Sequence, residues 1–254
     1  MKILKAIAFL ILLAAPAWSG NIKNGEDLIA AMRKKYEAKW YKTLTFAQQT
    51  ITHKPDGTSS TEIWHEALSM PGKLRIDIAP LEKNNGILFA DEKLHSIRDG
   101  KVADSRPFTH PLLVLGFDVY HQPAEKTISQ LKGMKIDTSV LHETVWQGRK
   151  VYVVGARAGD LKTPQFWVDK KNLYFVRMVD LVGKDRAIVS EIQFNKYFKV
   201  KGGGWVSPEV LFFTDGKLAI TEIYTDLQAN VALDPALFDP QKWTSVDRSY
   251  FKKR

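Results

Sequence analysis

The chain has 254 residues, with 37 Lys and Arg against 28 Asp and Glu, a formal charge of +9. Its 44% apolar and 26% charged residues exclude a disordered chain, which needs fewer apolar residues and a larger net charge per residue. There is no cysteine, so disulfides and cysteine-linked acylation are excluded, and a core must stabilise the fold.

The chain opens as an export signal. Lys2 and Lys5 precede an apolar run over residues 6–15 that is too short to span a bilayer comfortably. Ala17-Trp18-Ser19 puts small residues at the two positions a signal peptidase reads, so cleavage is expected after Ser19. An uncleaved anchor is the alternative, and Pro16 breaks its run. Residues 20–254 then form a single domain, because no linker or internal repeat divides them. Export puts most nucleic acid out of reach, so no nucleic-acid partner is expected. The positive charge then has two readings, affinity for anionic lipid head groups or a basic surface that only aids solubility.

Asn24 opens a helix in which Leu28, Met32, Tyr36 and Trp40 recur every four residues, with Asp27 at the third position for a weak capping box. The period then becomes twofold. Residues 43–54 and 58–70 flank Pro55-Asp56-Gly57, and residues 73–78 follow Pro71-Gly72. Residues 86–90 and 93–98 continue the meander. Residues 103–133 interrupt it with Pro107, Pro111 and Pro123, an apolar cluster from Leu112 to Phe117, and a short helix over 125–132. Strands resume at 140–146, 150–157, 165–169, 173–180, 187–200, 204–214 and 217–228, with Asp215-Gly216 as a hairpin turn. Ten or eleven antiparallel strands with few helices predict a mainly β fold: a large curved sheet, open as a half-barrel, with the N-terminal helix and a helical lid on its concave face. Such a sheet either keeps an apolar pocket or packs solid.

Little points to catalysis. The stretch "WHEALSMPGKLRID" sets His65 beside Glu66, but strand neighbours point to opposite faces, so the two cannot act on one substrate. A two-residue Pro71-Gly72 turn would set His65 opposite Ile78. The pattern is not HExxH, and no two histidines have metal-ligand spacing. Lys201-Gly202-Gly203-Gly204 lacks the phosphate-loop pattern and reads as a flexible connection. There is no GxSxG elbow. No catalytic residue, metal or cofactor is expected. Clustered polar groups inside the pocket would argue for an enzyme, and the alternation shows none.

The C-terminal half carries Phe166-Trp167-Val168-Asp169-Lys170-Lys171-Asn172, then Tyr174, Val176-Arg177-Met178, Ile192, Phe194 and Tyr197. Gly204-Trp205-Val206-Ser207-Pro208 and Asn230, Leu233-Asp234, Leu237-Phe238 follow. The N-terminal part adds a helix, Phe46-x-Gln48, Trp64 and Met70-Pro71-Gly72. This order resembles the periplasmic outer-membrane lipoprotein-sorting carriers, the LolA-like family. The resemblance implies an unclosed barrel and a monomeric periplasmic shuttle. Its implied partners are a lipid or acylated protein and inner- and outer-membrane envelope proteins. An envelope sensor that recognises another protein on the same fold is the alternative. Met70 stands where the carriers commonly place a lid-holding Arg, and Phe175 where they frequently have Pro. Candidate ligand contacts are Leu74, Ile76, Ile78, Phe166, Val168, Val176, Met178, Ile192 and Phe194, with Leu113 and Phe117 from a lid over residues 107–131. Each of these is equally a candidate for plain core packing.

Overall fold

The computed structural model describes residues 21–251, and the expected export signal lies outside them. Helix α1 (Gly25–Tyr36) starts where Asn24 adopts an extended backbone and its Oδ1 accepts the Asp27 N–H at 2.8 Å. Asp27 accepts the Lys23 N–H at 3.0 Å, one residue earlier than in a reciprocal capping box. The helix stops at Tyr36, short of the predicted recurrence. Ala38, at φ 54, turns the chain, and Trp40 reaches the core from the following loop, stacked on Tyr120 at 3.7 Å.

Fifteen strands follow, more than the periodicity predicts. They are β1 (Thr43–His53), β2 (Ser59–Ser69), β3 (Lys73–Ile78), β4 (Asn85–Ala90), β5 (Lys93–Arg98) and β6 (Lys101–Pro107). After the helical insertion come β7 (Leu141–Trp146), β8 (Arg149–Val154), β9 (Gln165–Asp169), β10 (Phe175–Val182) and β11 (Ile188–Asn195). The short pair β12 (Phe198–Lys199) and β13 (Trp205–Val206) precedes β14 (Glu209–Thr214) and β15 (Lys217–Ala229). Thirteen form one antiparallel sheet in the order β6-β5-β4-β3-β2-β1-β15-β14-β11-β10-β9-β8-β7, which does not close. Strand β6 occupies part of the expected interruption. It is an exposed edge strand with Lys101, Asp104, Arg106 and Pro107, so it lacks the burial alternation that marks a strand, and these same residues discourage edge pairing.

The β2–β3 turn has three residues, Met70, Pro71 and Gly72, because Ser69 pairs with Lys73. That extra residue moves the register by one. His65 lies opposite Asp77, and Trp64 opposite Ile78. Residues 201–204 are a close-packed turn rather than a flexible connection. A Cβ on Gly203 would sit 2.1 Å from the Lys39 carbonyl oxygen, at a φ of 107° that favours glycine.

The insertion contains α2 (Pro111–Gly116), a 3₁₀ turn at Asp118–Tyr120, and α3 (Ala124–Gly133). These elements and α1 pack on the inner face of the sheet. One continuous core joins Leu28, Ile29 and Met32 of α1 to Phe166, Val168, Phe175 and Val176 of the sheet.

The outer face has its own smaller core, formed where the C-terminal residues cross β2 to β5. Leu237, Phe238 and Trp243 pack there on Ala67, Leu88, Ala90 and Ile97. Arg75 and Asp77 lie on the outer face and are 0% and 1% exposed, because this segment covers them. The Arg75 guanidinium binds Asp77 through Nε at 2.7 Å and Nη2 at 3.0 Å, donates to the Leu237 and Trp243 carbonyls, and lies 3.7 Å over the Trp243 ring. The Tyr250 hydroxyl and Arg248 also bond Asp77. Gly86 makes room for the indole, since a Cβ there would lie 2.5 Å from Trp243 and 2.2 Å from the Ile76 carbonyl oxygen. Among the described residues no helix is long and apolar enough to cross a membrane.

Candidate functional site

The inner face is covered unevenly. Over β7 to β11, α1 and residues 118–133 fill the space. Over β1 to β4 and β14–β15, the cover is α2, six residues long, and beneath it lies a cavity of about 230 Å³. Leu112, Leu113 and Phe117 form its roof. Leu68, Leu74, Ile76 and Phe89 form one wall, and Phe46, Phe194 and Phe212 another.

Local sequence positions this roof. Pro111 starts α2 with its φ preset, and His110 accepts the Leu113 N–H at a long 3.4 Å. Burial pushes the His110 imidazole down to about 4, so it is neutral at neutral pH. Gly116 passes close over Phe194. Beyond α2 the chain is anchored in three places. The Gly72 N–H donates to Asp118 Oδ1 at 2.8 Å, His121 Nε2 donates to the Tyr41 carbonyl at 3.0 Å, and Tyr120 stacks on Trp40. Gln122 fixes the start of α3 through Thr127 and Gln130. The turn where the resembling carriers place an arginine thus still holds the insertion here, but through a backbone N–H and an aspartate. Burial raises the Asp118 carboxyl to about 6, against the opposing pull of the Gly72 bond and of Lys126.

Five of the eleven candidate contacts line the cavity: Leu74, Ile76, Phe194, Leu113 and Phe117. Phe166, Val168, Val176 and Met178 are buried in the filled half, in the core shared with α1. Ile78 and Ile192 are half-buried against that core and do not line the cavity.

The cavity also contains polar groups where the alternation had indicated none. Glu66, Gln48, Glu222 and Tyr224 line it together with Trp64. Glu66 shares the inward face of β2 with Leu68, two residues on, and that signal was available in the sequence. Gln48 pairs with Tyr224 across β1 and β15, and Thr50 with Glu222. Tyr224 donates to Glu222 Oε2 at 2.8 Å. Burial, and then the charge of Glu222, push the Glu66 carboxyl well up. Burial raises Glu222 to about 7, while Tyr224 and Gln48 oppose the rise. His65 faces away, so the sequence neighbours His65 and Glu66 do not converge. Among the described residues no three His, Asp or Glu side chains gather to hold a metal ion.

No family model matches the sequence, and no curated protein matches it significantly. Solved structures do match over nearly their whole length. A putative outer membrane lipoprotein-sorting protein domain from Vibrio parahaemolyticus superposes with a TM-score of 0.57 at 13% identity, over 87% of this chain and 98% of that one. A LolA superfamily protein from Nitrosomonas europaea gives 0.55 at 12%, over 83% and 96%. A DUF1329 family protein from Desulfovibrio piger gives 0.53 at 15%, over 85% and 95%. At these identities the likeness is one of architecture, and by its architecture this chain has the LolA-like fold, an open antiparallel half-barrel with helices on its concave face.

Proposed function

We propose that the protein is a periplasmic carrier that holds a lipid or lipoprotein acyl chain beneath α2 and hands it towards the outer membrane. The observation that carries this reading is a largely apolar cavity on the inner face of the sheet, roofed by a single six-residue helix. Burying a chain there is favourable by about 0.8 kcal/mol per methylene, so uptake is easy and release needs a movable part. The roof supplies one. Helix α2 is too short to be stable alone, and the Asp118–Gly72 bond ties its end to the β2–β3 turn.

At about 230 Å³ the cavity is smaller than the roughly 300–1,000 Å³ of ordinary ligand pockets. The structure is therefore read as the closed form, and a full chain requires α2 to lift. The export signal and the sorting-domain likeness support the periplasmic setting.

The test is to purify the protein with its lipids retained and identify them by mass spectrometry, with titration of the neutral apolar probe N-phenyl-1-naphthylamine in parallel. Co-purifying lipid and saturable binding are expected. A lipid-free protein that also ignores the probe would sink the carrier reading.

A further inference from the structure

Among the described residues the deeply buried carboxylates other than Glu66 are matched to a donor. Asp77 has Arg75, Arg248 and Tyr250. Asp118 accepts the Gly72 N–H, and Asp169 accepts the Asn172 N–H at 2.6 Å. On the other half of the sheet, Arg177 binds Glu191 through two bonds of 2.7 and 2.8 Å. Glu66 is different. It is 5% exposed, it lines the cavity, and among the described residues no hydrogen-bond donor reaches its carboxyl. Its carboxyl borders the cavity, so a donor for it can come from whatever the cavity holds.

The neighbours define that partner. Glu222 shares the cavity and is met only by neutral groups, the Tyr224 hydroxyl at 2.8 Å and the Gln48 amide. No lysine or arginine lines the cavity, and His110 is held neutral by burial. Glu66 lies one same-face step further from the 70–72 turn than Leu68, and Glu222, opposite Thr50 on β15, lies two such steps further along than Glu66. The cavity is thus apolar next to the turn and acidic beyond it.

We propose that Glu66 and Glu222 are a head-group site, and that the cavity selects amphiphiles whose apolar chain carries an ammonium group. The inference rests on the carrier reading and narrows its ligand. An ammonium has three N–H donors and one positive charge, so it brings these carboxyls the counter-charge that the cavity walls lack and favours their ionised forms. A fatty-acid carboxylate would bring a negative charge and no donor, and an alcohol would donate one uncharged bond. A hard divalent cation takes about six or more oxygen ligands, more than two carboxylates, one amide and one phenol supply. The preference is also informative against the protein's overall charge of +9, which by itself draws anions.

The experiment displaces N-phenyl-1-naphthylamine from the purified protein at neutral pH with dodecylammonium, dodecanol and dodecanoate, each below its micellar concentration. In the unmodified protein dodecylammonium is expected to displace the probe at a concentration about tenfold lower than dodecanol, with dodecanoate weakest. In the double variant Glu66→Gln, Glu222→Gln the two neutralised side chains should bring dodecylammonium to within about twofold of dodecanol. Saturable binding of the probe by the variant shows that its cavity is intact. Equal displacement by all three in the unmodified protein, or an ammonium preference that survives the double substitution, overturns the head-group site and leaves the carrier reading standing. Failure of the probe and all three competitors to bind overturns both.

Discussion

The two faces of the β2–β3 hairpin carry the same kinds of residue and treat them oppositely. On the outer face Arg75 and Asp77 are sealed under the C-terminal segment, and each of their polar groups meets a partner there. On the inner face Glu66 is nearly as buried, yet it looks into a cavity beside a second carboxylate. Burial alone therefore does not separate a structural charge from a site. What separates them is whether the fold brings the counter-charge. The outer face uses its charges to lock the C-terminal residues to the sheet, while the inner face gives its two carboxyls no counter-charge, so burial raises both.

The strongest way to break this contrast is to remove one partner on the outer face. Arg75→Met leaves Asp77 buried with Tyr250 and Arg248 as its remaining donors and takes the guanidinium off the Trp243 ring. Breaking one side of such a pair costs about 3–5 kcal/mol, so a large fall in the guanidinium midpoint is expected. Glu66→Gln, at similar burial, should lose nothing. Equal losses in the two variants would show that the two faces do not differ as described.

A second effect sharpens the inner face through pH. Burial raises Glu222 from 4.5 to about 7 in the folded protein. Between those values the folded state holds more protons than the unfolded one, so this group's contribution to stability falls as pH rises through the window. Above about pH 7 the ionised carboxylate costs roughly 3 kcal/mol relative to its exposed form. Glu222→Gln should therefore stabilise the protein at pH 8, flatten its stability profile between pH 4.5 and 7, and bring Glu66 down by removing its like-charged neighbour. His110, pushed down to about 4, acts in the opposite sense, since it favours the fold above pH 6.5 and that gain is lost as pH falls towards 4. Thermal melts of the variant and the unmodified chain across this range separate the two. Identical profiles would mean that Glu222 titrates as an exposed acid.

Much of the fold was legible because hairpin turns and twofold alternation are local signals. Asp215-Gly216 and the three-proline insertion fall where the structure has a turn and the covering helices. The edge strand β6 escaped because an exposed strand has no apolar face to alternate. The cavity was legible only as a possibility. Leu74 and Val168 alternate alike in sequence, yet one borders a cavity and the other is core, because the difference lies in how much helix covers each half of the sheet. Glu66 was readable from its spacing to Leu68, but next to His65 it looked like one half of a pair that strand geometry forbids. The outer-face lock was not readable, since it joins Arg75 to residues more than 160 positions away.

The smallest effect concerns the boundary between cavity and core. Asp118 is the acceptor that holds the end of α2 to the β2–β3 turn, and one such hydrogen bond is worth about 1 kcal/mol. Asp118→Ala should leave the far half of the sheet untouched while amides of residues 112–117 exchange about fivefold faster. Asp118→Asn separates the bond from the charge, because its side-chain oxygen still accepts the Gly72 N–H. That variant should keep slow exchange and lose the pH dependence that the Asp118 carboxyl, raised to about 6, adds to the unmodified protein. The sign is again that of a raised acid, so the unmodified chain loses stability from this group as pH rises from 3.8 to 6 and the asparagine variant does not. If exchange in α2 is unchanged by alanine, the roof is held by the packing of Leu112, Leu113 and Phe117 instead, and a ligand that pushes those three side chains apart would open the cavity without breaking the Asp118 bond.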